Sequence, residues 1–178
     1  MRKAVFVLLI STIVISCNYS SPKDYFNVAV LNVNLLHGFA SGGMQQQMEN
    51  PALQMINGDK DHYAAMKRKE VLDQKLDMVH RNISLLKELR RTASTEDLIN
   101  ASMALYEYVL PVYENEYREL ARLYDDDASP NAIASLTEMI NHKYFPGYAE
   151  LFDKLMAVAK PYAEENHINV AWAVRMSP

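Results

Sequence analysis

Cysteine occurs once in the 178 residues, at Cys17, so no intramolecular disulfide can staple the fold. Glycine occurs only five times, and together with many Leu, Met, Glu and Lys this favours helix over sheet. Positive charge is not in excess: 18 Lys and Arg stand against 22 Asp and Glu, a formal net charge of -4. That balance argues against a nucleic-acid partner, whose phosphates are held largely by Lys and Arg. The short groups Lys67-Arg68-Lys69 and Lys87, Arg90, Arg91 lie among acidic residues and read as solvated helix faces. The apolar run Ala4 to Ile15 is too short for a membrane-spanning helix, which needs roughly 20 such residues. The phosphate-cradling glycine loop, the zinc-binding His-Glu-x-x-His and the nucleophile motif Gly-x-Ser-x-Gly are all missing. With no catalytic motif and no cofactor signature, the residues point away from an enzyme. No repeat of 20 to 50 residues stands out.

What is present is a single domain's length, 49% hydrophobic and 22% charged, enough to bury a core without disulfides or a structural metal. At the start, Arg2 and Lys3 precede Ala4 to Ile15, and then come Ser16 and Cys17. A charged head, a dozen apolar residues and a small residue before a cut make a secretory signal. The ending Val14-Ile15-Ser16-Cys17 resembles the lipobox of bacterial lipoproteins. That resemblance implies removal of residues 1–16, acylation of Cys17, and a lipid anchor in a bacterial cell envelope. Asn18 after the cysteine leans the expectation toward the outer membrane. Residues 17–23, with Ser20, Ser21 and Pro22, read as a tether, and 24–178 as the domain.

Within the domain the clearest signal is Leu72, Leu76, Val79, Ile83, Leu86, which steps by four and three as one helix face does. It predicts a helix from Asp59 or Asp61 to about Arg91. A second helix is expected from Thr95, with Ser94 and Asp97 as a capping box. It carries Tyr106, Leu110, Tyr113, Tyr117, Leu120 and Tyr124 on one stripe, with a kink expected at Pro111. A third starts at Ser129-Pro130 and reads Ile133, Leu136, Ile140, Tyr144, Tyr148, Leu151, Leu155, Val158, Tyr162, with a second kink at Pro146-Gly147. From Asp24 to Ala40, Phe26, Val30, Val33, His37 and Ala40 have helical spacing, although Val28, Val30 and Leu35 also suit a strand. Helix is expected there on the company it keeps. Residues 44–58, with Met44, Met48, Met55 and four glutamines, read as a gap-filling loop or adaptable binding lip. The expected architecture is all-α: an elongated antiparallel bundle of three long helices and a shorter N-terminal one. An extended tail from His167 is expected to bury Trp172.

The histidines are scattered, and Asp77-x-x-His80 is only one half of a di-metal motif, so no metal is expected. Asp125-Asp126-Asp127 lacks the alternating ligands of a calcium loop. Asn82-Ile-Ser84 and Asn100-Ala-Ser102 match the glycosylation triplet but fall inside predicted helices. The one ligand site the residues suggest is a cleft between splayed helices lined by Tyr113, Tyr117, Tyr144 and Tyr148. The lipobox, the Tyr-rich helices and the ending Ala163 to Ile168 together are similar to small all-helical surface lipoproteins of spirochaetes and Bacteroidetes. Two roles follow as expectations. One is a non-enzymatic interaction or scaffold module anchored through lipid and meeting an envelope protein, with exposed apolar surface. The other is a small-ligand module using the tyrosine cleft.

Overall fold

The computed structural model describes residues 20–56 and 62–172. It is mostly helical. Helix α1 (Pro22–Ala29) opens on a capping box: the Ser21 hydroxyl accepts from the Asp24 N–H, and the Asp24 carboxylate accepts from the Ser21 N–H at 2.8 Å. Ser21 and Pro22 therefore begin the domain, where the sequence suggested tether. The single helix expected over Asp24 to Ala40 is divided. After α1 the chain tightens into a 3₁₀ segment at Leu31–Leu36. Its logic is a step of three: Val30, Val33, Leu36 and Phe39 are all buried, and residues three apart eclipse in a 3₁₀ helix. Two side chains brace the segment from α3 (Arg68–Glu88): Asn82 accepts from the Asn32 amide, and the buried Lys75 ammonium donates to the Leu35 carbonyl at 2.9 Å. The buried Asn82 is thus committed to packing rather than to glycosylation.

The Met/Gln-rich stretch, expected as a loop, folds into α2 (Gly42–Glu49) and the first strand of a two-stranded hairpin. Met44 and Met48 are fully buried on one face of α2, four residues apart. Strands β1 (Leu53–Met55) and β2 (Tyr63–Ala65) pair antiparallel, with Leu53 opposite Ala65 and Met55 opposite Tyr63. Because β2 occupies Tyr63–Ala65, α3 begins at Arg68 and not at Asp59 or Asp61. Its cap comes from far away in the chain. The Asp125 carboxylate accepts from the backbone N–H groups of Arg68 and Lys69 at 2.9 and 3.0 Å, and Glu70 accepts from Lys67. A negative charge that looks misplaced at the end of its own helix therefore sits at the positive end of another. Replacing Asp125 by Ala removes two charge-assisted bonds, and urea denaturation is expected to show a loss of about 1.5–3 kcal/mol. Asp125→Asn is expected to recover part of it.

Beyond α3, α4 (Glu96–Val112), a wide π-turn (Tyr113–Tyr117) and α5 (Arg118–Asp125) form one helical run, followed by α6 (Pro130–Glu165). The Ser94–Asp97 capping box does not form; the Thr95 hydroxyl accepts from the Thr92 N–H instead. The irregularity after Pro111 is this π-turn, within which the Asn115 side chain donates to the Pro111 carbonyl at 2.7 Å. Helix α6 is capped by Ser129 with Pro130 in its first turn, as expected, and runs without a break through Pro146-Gly147. Gly147 is where the Tyr108 ring crosses: a Cβ there would lie 2.5 Å from its hydroxyl oxygen.

α4 packs most extensively on α6, and α3 on α5 and α4. Leu76, Val79, Leu120 and Leu155 are all buried in the one core. Fully burying each such side chain contributes about 1.5–3 kcal/mol. After α6 the chain turns at His167, which is left-handed (φ 54°), and Ile168 and Val170 pack against the core. Trp172 is 38% exposed, although its ring meets Phe26 edge-on at 5.8 Å; it lies over the body and is not enclosed by it.

Candidate functional site

The four tyrosines of the expected cleft are divided by the structure. Tyr113, Tyr117 and Tyr148 are buried, and the space between them is filled by Phe39. Its ring lies 5.4, 5.9 and 5.1 Å from theirs and 6.4 Å from that of Tyr108. Tyr113 and Tyr117 stack at 5.2 Å. Tyr144 is half-buried and looks the other way, its hydroxyl donating to Glu116 and its ring beneath the Lys143 ammonium. Phe39 reaches the centre because the chain reverses tightly at Gly38 (φ +84°), where a Cβ would press on the Gly43 backbone at 2.9–3.0 Å. What the sequence suggested as a cleft is an aromatic core plugged by the protein's own N-terminal segment.

The phenols in that core are unequally satisfied. Tyr117 accepts from the Ala40 N–H at 2.8 Å, holding a left-handed alanine (φ 47°), and Tyr148 donates weakly to the Leu36 carbonyl at 3.4 Å. The buried hydroxyls of Tyr106 and Tyr113 find no partner among the described residues. Burial pushes all four phenols well above their usual pKa of 10, and neighbouring phenols push Tyr106 and Tyr113 further in the same direction. Tyr117→Phe strands the buried Ala40 N–H and is expected to cost about 1–3 kcal/mol. Tyr113→Phe removes an unpaired hydroxyl and is expected to be neutral or stabilising. Thermal unfolding of the two variants side by side separates a hydrogen-bonded phenol from an orphan.

The exposed feature the sequence reading passed over is the hairpin. Side chains alternate across a strand, so Leu53, Met55, Tyr63 and Ala65 share one face and Gln54 and Ala64 the other. The Gln54 amide donates to Glu70 of α3 at 3.2 Å, although Gln54 is exposed like the rest of β1. The opposite face is the apolar one. Leu53 is 68%, Met55 52% and Tyr63 55% exposed, with Ile56 beside them at 42%. This is a contiguous apolar patch on a projecting element, where single scattered exposures are the norm. The local cue in the sequence is Asn57-Gly58, a common turn dipeptide, between the two segments, which are too short to show their own alternation.

Cys17 and the signal segment expected before it lie outside the described residues. Among the described residues, no group of three His, Cys, Asp or Glu side chains is placed to hold a metal ion, and no helix is long and apolar enough to cross a membrane. His80 pairs with Glu114 across α3 and the π-turn at 3.5 Å. No protein-family model matches the chain, and no curated protein or solved structure shows significant similarity to it.

Proposed function

We propose that this protein is a non-enzymatic interaction module, anchored through acylated Cys17 in a bacterial cell envelope, most simply the outer membrane, and meeting an envelope protein through its hairpin. The observation that carries the reading is the outward apolar face of Leu53, Met55 and Tyr63. The helices are inferred to form an antiparallel bundle. Tyr25 donates to the Arg90 carbonyl and Tyr162 to the Pro22 carbonyl, so α1 lies where α3 and α6 end. Gln54 and Asp125 meet the other end of α3, and its 21 residues separate the two ends by about 30 Å. The four residues from Cys17 to Ser21 span at most about 14 Å. The hairpin therefore faces away from the anchor, toward a protein rather than the bilayer that holds the lipid.

Patch size narrows the partner. The exposed parts of the four side chains amount to roughly 400 Å², a functional patch on a monomer but only about half of each side of a standard complex. Two hairpins face to face bury too little; a groove that takes in the hairpin buries enough. The tyrosine-cleft alternative has lost its space to Phe39. The test places a photo-crosslinking residue at Leu53, and separately at exposed Lys154 as control, in the full chain in its native envelope. A discrete protein adduct from position 53, absent from position 154 and abolished by Met55→Lys, is expected. Met55→Lys itself is expected to shift stability by no more than about 0.5 kcal/mol. Adducts only to lipid or to a second copy overturn the partner assignment, and an unacylated Cys17 in the mature protein's mass overturns the anchor.

A further inference from the structure

A second surface is built on different residues and does not depend on the hairpin. The tail crosses the junction of the 3₁₀ segment and α6, leaving a cavity of about 510 Å³ beneath it. Most of its wall is apolar, including Leu31, Phe152, Met156 and Val170, with Trp172 at one side. Leu31 is 41% and Trp172 38% exposed, so two large apolar side chains are left half in water at one opening. Polar groups are few: Asn34, Asp153 and Lys160. Asp153 is already engaged by another group. Lys160 holds its ammonium 6.0 Å from the centre of the Trp172 ring, so the cation stands beside the exposed apolar surface.

From this arrangement we infer that the cavity under the tail binds an amphiphile, an unbranched aliphatic chain ending in a carboxylate or similar anion. The chain lies along Leu31, Phe152, Met156 and Trp172, where its burial follows the usual apolar area gain. The anionic head meets Lys160 at the rim. A few hundred cubic ångströms, largely apolar and with a small set of polar groups, is the ordinary design of a small-molecule site. Desolvating Trp172 and Leu31 removes an exposure that nothing among the described residues relieves. A purely polar ligand would leave that surface wet, and a neutral hydrocarbon would make no use of the Lys160 ammonium.

Because the chain has one tryptophan, its fluorescence reports this cavity. The full chain carrying Cys17→Ser, which cannot be acylated, is titrated with dodecanoate below its micelle concentration, with dodecan-1-ol and with acetate. Saturable quenching or a blue shift with dodecanoate, tenfold weaker binding of dodecanol and none of acetate are expected. Lys160→Glu is expected to weaken dodecanoate at least tenfold while leaving dodecanol unchanged. Ala157→Phe, which fills the cavity from an exposed α6 position, is expected to abolish binding of both in equilibrium dialysis, with helicity unchanged by circular dichroism. Absence of saturation overturns the site, as does acetate binding as well as dodecanoate, or indifference to Ala157→Phe.

Discussion

Raised past pH 10, this protein is expected to lose stability by up to about 5 kcal/mol per pH unit and to unfold before roughly pH 12. Each phenol held protonated in the fold but free to ionise when unfolded contributes about 1.4 kcal/mol per unit. Tyr106, Tyr113, Tyr117 and Tyr148 are four such groups, all pushed above 10 by burial. The sign follows from proton counts. Above pH 10 the unfolded chain releases these protons while the folded one keeps them, so the free energy of unfolding falls as pH rises. Their contribution is complete below pH 10 and disappears as the pH climbs through the folded-state values. Lys75, whose pKa burial lowers, acts in the opposite sense, but it is one group against four. Two units remove about 10 kcal/mol, which exhausts a total stability in the middle of the usual range of about 5–15 kcal/mol. The measurement is phenolate absorbance alongside circular dichroism. Part of the tyrosine signal should stay silent until helix is lost and then appear with it. Complete ionisation near pH 10 with the helices intact would show that these phenols are not buried together.

Phe39→Ala carries the second large effect. The ring is fully buried and touches Tyr108, Tyr113, Tyr117 and Tyr148, so truncation opens a void at the place where the N-terminal segment, α4, the π-turn and α6 meet. Removal of a core phenylalanine costs about 3–5 kcal/mol, which for a domain of this size lowers the melting temperature by roughly 6–20 °C. Phe39→Leu is expected to recover much of that loss, because it restores most of the volume without the edge contacts. The same variant probes the expected tyrosine cleft. With Phe39 reduced to a methyl group, a space lined by phenols exists, and a small aromatic such as phenol is expected to rebind and raise the melting temperature. No rescue would show that the neighbouring side chains collapse into the gap.

The elements that were legible are those whose pattern is local. Leu72 through Leu86 repeat by three and four over a long segment, and only a helix puts all five on one side. Ser129-Pro130 announces α6 because cap and first turn lie within a few residues. The 3₁₀ segment was harder to see because Val30, Val33, Leu36 and Phe39 mix with residues that also fit a 3.6 period; what decides the tighter winding is Asn82 and Lys75, from about 40 to 50 residues away. The hairpin was obscured by its three-residue strands, too short to show an alternation, and by methionines that suit either core or loop. The tyrosine stripe was legible as one helix face, but whether its rings border a vacant space or pack together depended on where Phe39 goes, which no spacing within α4 or α6 encodes.

By itself the amino-acid sequence determined the helical class, the seam that each long helix hides and the phenol-rich character of the core, because periodicity and capping act over one or two turns. The resemblance to a lipobox at Val14 to Cys17 is likewise local, written in consecutive residues. Only tertiary structure decided that Phe39 plugs the aromatic centre, that Asp125 caps α3, that the hairpin turns an apolar face outward and that Trp172 overhangs a cavity. Each of these depends on two distant segments meeting, and the side chain that wins such a place is set by what else arrives there to pair with it or exclude water.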